Sequence, residues 1–227
     1  MNQTFKKLSA AWMEESCTER YSYRFTWMGV PIIQYPQDMI AMQELIWKVK
    51  PDCIIETGIA HGGSLVYYAS LLEMLGGHRS VIGIDIDIRP PTRETIAHHP
   101  TTKTIRMFEG SSIDPYIVNV VWKMVDRNAF DNVMVVIDSN HTHDHVLAEL
   151  RAYAPLVAKD SYLVVFDTII EQLPDEYWSD RPWKKGNNPS TAVDAFLEEN
   201  KNFKRCHKID NKLAISVAPG GYLKRIA

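Results

Sequence analysis

Five short apolar runs, each closing on an acid and set apart by helix-like or turn-rich stretches, constrain this chain more than any other feature. They lie at residues 53–55 running into Glu56, 80–85 ending in Asp85, 103–108 before Glu109, 132–138 ending in Asp138, and 161–167 ending in Asp167. Helical patterns are expected over residues 62–76, 113–125 and 144–153, with Gly76-Gly77 closing the first. Several of the runs are continuous Val/Ile/Leu rather than alternating, as a parallel sheet covered on both faces requires. The expected fold is therefore a doubly wound α/β domain, and its acids gather along the one sheet edge where ligands bind in such folds.

Behind the first run stands Glu56-Thr57-Gly58-Ile59-Ala60-His61-Gly62-Gly63-Ser64, which reads as a strand ending in a glycine turn that opens a helix. Glycine there accepts positive φ and lets another molecule approach the backbone, while the free amides of the new helix face it. The spacing is G-x-x-x-G-x-S rather than G-x-G-x-x-G. A pyrophosphate favours helix amides without a nearby negative charge, whereas Glu56 suits the cationic methionine end of S-adenosylmethionine. The turn thus points to a methyl donor. An NAD-dependent oxidoreductase on the same fold, or a non-catalytic S-adenosylmethionine-binding protein, are the alternatives. Asp85, with Asp87 as its competitor, is the candidate for accepting hydrogen bonds from ribose hydroxyls.

The richest polar cluster is Asp138-Ser139-Asn140-His141-Thr142-His143-Asp144-His145. His141, His143 and His145 would share a face only in an extended segment, and a helix begins here, so a three-histidine metal site is not expected; Thr142 or Asp144 serves to cap that helix. His141 at the crevice rim can take a proton from an acceptor hydroxyl at neutral pH. Asp138 and Asp167, on adjacent strand tips, can hold one hard divalent cation between them. Such an ion would acidify a bound hydroxyl and orient it for attack on a methyl group.

Two segments lie outside the repeat. Residues 1–50 form an N-terminal extension or cap holding a Trp- and Tyr-rich stretch and a helix over residues 37–49 that stops before Pro51; residues 51–227 form the cofactor-binding domain. Residues 169–189 mingle Pro174, Pro182, Gly186 and Pro189 with Trp178, Trp183, Lys184 and Lys185, and are read as a lid or substrate loop. A helix is expected over residues 190–200. Residues 203–209 and 213–217 are expected to close the fold as a hairpin around Asp210-Asn211-Lys212.

Composition limits the partners. A formal net charge of -3 argues against nucleic acid, and no apolar run reaches the roughly 20 residues of a membrane helix. The start MNQTFKKLSAAWMEE has no signal-peptide h-region. Cys17, Cys53 and Cys206 lack metal-type spacing and read as reduced packing residues of a cytoplasmic protein. The expected partner is a small-molecule or saccharide acceptor, with a homo-oligomer left open.

With these residues in hand, the chain resembles the cephalosporin hydroxylase family, a branch of the class I S-adenosylmethionine-dependent methyltransferases that is also similar to macrolide-sugar O-methyltransferases. The likeness covers roughly residues 25–225. It rests on Glu56-x-Gly58-x-x-x-Gly62-x-Ser64, Gly110-Ser111-Ser112, Asp138-Ser139-x-His141, Val146-x-x-Glu149-Leu150, Asp167-Thr168, Ala192-Val193 with Phe196-Leu197, and Gly221-Tyr222-Leu223-Lys224-Arg225. The resemblance implies a Rossmann-like, mostly parallel seven-stranded sheet with an N-terminal helical extension. It also implies O-methylation of a hydroxyl on a sugar, a polysaccharide or glycolipid precursor, or another polyhydroxylated molecule, with Mg²⁺. Cofactor contacts are implied for Glu56, Gly58, His61, Gly62, Ser64, Asp85, Ser111, Ser112 and Asp138, metal ligation for Asp138 and Asp167, and catalysis for His141 with Asp138. Members commonly carry Glu-Asp at the fifth strand tip, where this chain has Phe166-Asp167. The missing ligand role is expected to pass to Glu171 or to water.

Overall fold

The computed structural model describes residues 2–227. In chain order these form α1 (Gln3–Thr18), β1 (Phe25–Trp27), β2 (Val30–Ile32), α2 (Pro36–Val49), β3 (Cys53–Thr57), α3 (Gly63–Leu75), β4 (Ser80–Asp85), α4 (Pro90–His98), β5 (Ile105–Glu109), α5 (Pro115–Arg127), β6 (Val133–Ile137) and α6 (His143–Tyr153). They continue through β7 (Tyr162–Val165), α7 (Pro189–Glu199), β8 (Phe203–Arg205), α8 (His207–Lys212) and β9 (Tyr222–Arg225). Seven strands make one sheet in the order β5-β4-β3-β6-β7-β9-β8. Strands β5, β4, β3, β6 and β7 run parallel, and β9 runs antiparallel between β7 and β8.

The continuous apolar runs follow from burial on both faces. Successive residues of β3 point opposite ways: Ile54 packs with α2 and α3, Ile55 with α5 and α6. Helix α3 is apolar nearly all round because the sheet, α2 and the β1–β2 hairpin enclose it, and Trp27 of that hairpin stacks edge-on against Tyr67 at 4.9 Å. The hairpin turns at Met28-Gly29, both at positive φ, the geometry that matches strand twist.

Strand order reverses between β3 and β6, and the ladder runs one step beyond each strand there. The Gly58 amide donates to the Ile84 carbonyl, that of Asp138 to Thr57, and that of Phe166 to Ile137. Gly58, Asp138 and Phe166 therefore stand near one level at the switch point, where open α/β sheets bind ligands.

The expected closing hairpin does not form. Residues 207–212 are helix α8, and the partner of β8 is β9, further along the chain. Leu213, Ile215 and Val217 alternate as a strand would, but they are fixed by side chains from elsewhere. Asp38, buried in the first turn of α2, accepts from Ser216 Oγ at 2.6 Å, the Val217 amide at 2.9 Å and the Tyr222 hydroxyl at 2.7 Å. Helix α4 lies beyond the elements expected from the sequence, and α1 gives the expected N-terminal helical extension a second helix ahead of α2; α1 is capped by Asn2, whose side chain accepts from the Phe5 amide.

Candidate active site

A crevice of about 800 Å³ opens over the switch point, room for a cofactor and an acceptor together. Its floor and walls include Gly58, His61, Ser64, Asp85, Ser111, Ser112, Asp138, His141 and Asp167, so the topology brings nearly all the expected site residues together. Glu56 and Gly62 lie behind that wall. Glu56 is fully buried beneath Ser64, whose hydroxyl donates to its Oε2 at 2.7 Å, while its Oε1 has no partner. Burial raises its pKa to about 8, against the pull of that hydroxyl.

The glycines serve the protein first. A Cβ on Gly58, at φ +87°, would sit 2.1 Å from the Asp138 carbonyl oxygen, and one on Gly62 would meet Ile96 of α4 at 2.9 Å. Gly58 is required because the β3 turn presses on the β6 tip, whatever occupies the crevice. Asp85 ties the same turn: its Oδ2 accepts from the Ile59 amide at 2.7 Å and the Ala60 amide at 3.3 Å. Glu109 leaves the acidic group altogether, bonded to Arg93 and the Ile88 amide away from the crevice.

Asp138, His141 and Asp167 each offer one ligand atom within 4.8 Å of the others. His141 Nε2 is 3.1 Å from Asp167 Oδ2, and Asp167 itself adopts a left-handed φ of 56°, rare for a non-glycine residue. Burial, together with the negative charges of Asp167, Glu56 and Glu149, drives the pKa of Asp138 well above the ordinary range. Phe166 is buried and packs edge-on to Tyr222, so it offers the site no donor. Glu171 does not replace it: its Oε2 accepts from the Gly186 amide at 2.8 Å and Asn188 Nδ2 at 2.5 Å, bracing the loop.

Residues 19–226 match the family described as Rhamnosyl O-methyltransferase/CmcI. The chain belongs to that family. A rhamnosyl O-methyltransferase of Mycobacterium tuberculosis (strain ATCC 25618 / H37Rv) is 29% identical over 205 residues, covering 88% of this chain and 78% of the relative. Among solved structures, an apo form of CmcI aligns with a TM-score of 0.64 at 18% identity, over 90% of this chain and 77% of that one. A CmcI structure with Mg and S-adenosylmethionine aligns at 0.58 and 19%, over 90% and 78%. The sheet is that of a class I S-adenosylmethionine-dependent methyltransferase, and this member of the family is an O-methyltransferase.

Several residues of the crevice were not anticipated. Gln34 Nε2 approaches Asp138 Oδ2 at 3.5 Å, and Arg20 and Tyr23 reach the crevice from the turn after α1. From the 169–189 loop come Trp178 and Trp183, both singled out in the sequence as part of a lid or substrate loop, together with Arg181, which was not; the Trp183 ring stands edge-on to His141 with ring centroids 4.8 Å apart. Beneath the rim, buried Glu149 Oε1 accepts from Ser112 at 2.5 Å and Ser139 at 2.6 Å, with His145 Nε2 at 3.5 Å. This network anchors the loops after β5 and β6. His143 bonds Thr191 Oγ1 at 2.8 Å, joining α6 to α7. Only the aromatic density of residues 21–35 and 169–189, and the Val146-x-x-Glu149-Leu150 pattern, hinted at these roles in the sequence.

Proposed function

We propose that the chain methylates a hydroxyl of a saccharide, with His141 taking the hydroxyl proton. The observation that carries this is the group Asp138, His141 and Asp167 in one crevice with the glycine turn of β3. The name of the mycobacterial relatives supports a sugar acceptor and makes a rhamnosyl unit the first one to try. Bound S-adenosylmethionine supplies an electrophilic methyl group on sulfur, so transfer forms an O–CH₃ bond as the S–CH₃ bond breaks and the hydroxyl proton leaves. The unpartnered Glu56 Oε1 below Ser64 fits the cationic amino-acid end of that molecule. Asp85, on the next strand tip, is placed for its ribose. Asp167 fixes the His141 ring through Nε2, which leaves Nδ1 as the basic atom. Trp183 covers the imidazole and limits its exposure to water.

A divalent ion fits the same group. Asp138 and Asp167 would hold it, their mutual repulsion being what a cation relieves, and when bound it would lower the pKa of an acceptor hydroxyl. A second reading is favoured by the closeness of the imidazole to both carboxylates: His141 takes the ligand position that Phe166 leaves vacant. Radiolabelled methyl transfer to rhamnosides and other saccharides, with wild type and His141→Ala, tests the proposal; absence of transfer to every saccharide would refute it. A cytoplasmic setting is supported by free cysteines and by a chain in which no helix among the described residues is long and apolar enough to cross a membrane.

A further inference from the structure

The acceptor end of the crevice is rich in hydrogen-bond donors that nothing in the protein satisfies. Arg181 stacks over Trp183 at 5.4 Å from the ring centroid, and Trp183 stands against His141. Its one acidic neighbour, Asp180, is 3.7 Å away with both side chains more than half exposed, a pairing that water largely screens. Arg20, which also lines the crevice, makes no side-chain hydrogen bond or ion pair among the described residues. The indole N–H groups of Trp178 and Trp183 are buried without an acceptor, and buried donors are nearly always paired.

A neutral sugar would give the two guanidinium groups no counter-charge. Resting on the O-methyltransferase reading, we propose that the acceptor is an anionic saccharide. It would carry a phosphate or carboxylate group close to the ring being methylated, with Trp183 against the ring and Arg181 and Arg20 binding the oxyanion. The order His141, Trp183, Arg181 sets the polarity of binding: the hydroxyl lies at the carboxylate end and the oxyanion at the arginine end. Guanidinium suits both oxyanions through paired N–H donors.

The test is binding of matched sugars to the S-adenosylhomocysteine-saturated protein, followed by tryptophan fluorescence. For each of several hexoses, the probes are the methyl glycoside, the glycosyl 1-phosphate and the uronate. At least one phosphate or uronate should bind about tenfold or more tightly than its neutral counterpart, the scale of a charged hydrogen bond. Arg181→Gln and Arg20→Gln should each erase most of that preference while leaving S-adenosylhomocysteine affinity unchanged. Which anion wins identifies the oxyanion. Equal or tighter binding of neutral glycosides, absence of binding by every anionic probe, or a preference that survives both substitutions would overturn the proposal. Failure to bind S-adenosylhomocysteine would instead count against the methyltransferase reading beneath it.

Discussion

His141 holds Asp167 at 3.1 Å through Nε2, a contact that joins the segment after β6 to the tip of β7 across the crevice floor. Neither residue is near the other in sequence, and the contact exists only because β6 and β7 are parallel neighbours with Ile137 beside Val165. It makes His141 an oriented imidazole rather than a mobile one. Orientation is what a base acting on a single hydroxyl needs.

His141→Ala is expected to reduce turnover by about 10² to 10⁴, the usual contribution of a general base, with S-adenosylhomocysteine affinity nearly unchanged. His143→Ala should stay within a few-fold of wild type and cost about 1 kcal/mol of stability through its lost bond to Thr191. His145 is a poorer control than its helical position suggests, because it contacts Ser112 and Glu149. Turnover of His141→Ala within a few-fold of wild type would remove the base from this residue.

Metal binding can be read without turnover. Titration of Mg²⁺ or Mn²⁺ into wild type should give a binding isotherm that Asp138→Asn abolishes, and EDTA should remove activity that Mg²⁺ restores. Asp138→Asn should also raise the unfolding temperature of the metal-free protein, since it replaces a carboxyl whose ionised form is disfavoured by burial first and by the neighbouring acids second. The same isotherm with His141→Ala separates base from ligand: retained affinity fits a base, lost affinity a ligand. A metal-free protein at full activity would leave the carboxylates to orient the acceptor.

Donor affinity should depend on pH through Glu56. With a pKa of about 8 in the empty protein, its carboxyl is mostly protonated at neutral pH, and a bound ammonium favours the ionised form. Affinity for S-adenosylhomocysteine should therefore rise from about pH 6.5 to about 8 and then level off, with proton release visible as a buffer-dependent binding enthalpy. Glu56→Gln should flatten the profile. A flat wild-type profile would mean that the ligand never senses this carboxylate.

Asp38 should set a stability slope at lower pH. Burial raises its pKa from 3.8 to about 6, although three donors partly offset the cost. A folded-state value above the unfolded one gives stability that is complete below about pH 4 and is lost as the pH rises through about 6. Two units correspond to roughly 3 kcal/mol. Urea unfolding of wild type and Asp38→Asn at about pH 4.5 and 7 isolates this residue, and the gap between the two proteins should change between those pH values. A constant gap would show that Asp38 does not titrate in that window.

What the sequence disclosed follows the physics of each element. β3, α3 and β4 were legible almost to the residue because buried parallel strands are continuous apolar runs and glycines punctuate them. Asp138, His141 and Asp167 were legible because strand tips of a parallel sheet share an edge. Residues 213–217 misled because their alternation satisfies a packing period without a strand ladder, and only the distant Asp38 explains it. Glu56, Gly58 and Asp85 were found as positions but not as partners: the first sits under Ser64, the second against the Asp138 carbonyl, the third against loop amides. Gln34 and Arg20 reach the site across long stretches of chain, and no local pattern records such contacts; Trp183 was legible only as part of the Pro- and Trp-rich loop, not as the neighbour of His141.

The placement of β9 has a bearing on how the molecule is made. Tyr222–Arg225 is an interior strand, flanked by β7 and β8, so β8 can join the sheet only after residues some twenty positions later have inserted beside β7. A ribosome-bound chain that has emerged as far as α7 can assemble β3 through β7, yet it leaves an open apolar edge at β7 awaiting its neighbour. Truncation just before residue 222 would not trim a fringe. It would orphan β8, uncover Leu163 and Phe166, and deprive buried Asp38 of the Tyr222 hydroxyl, turning a folding intermediate into an aggregation-prone end state.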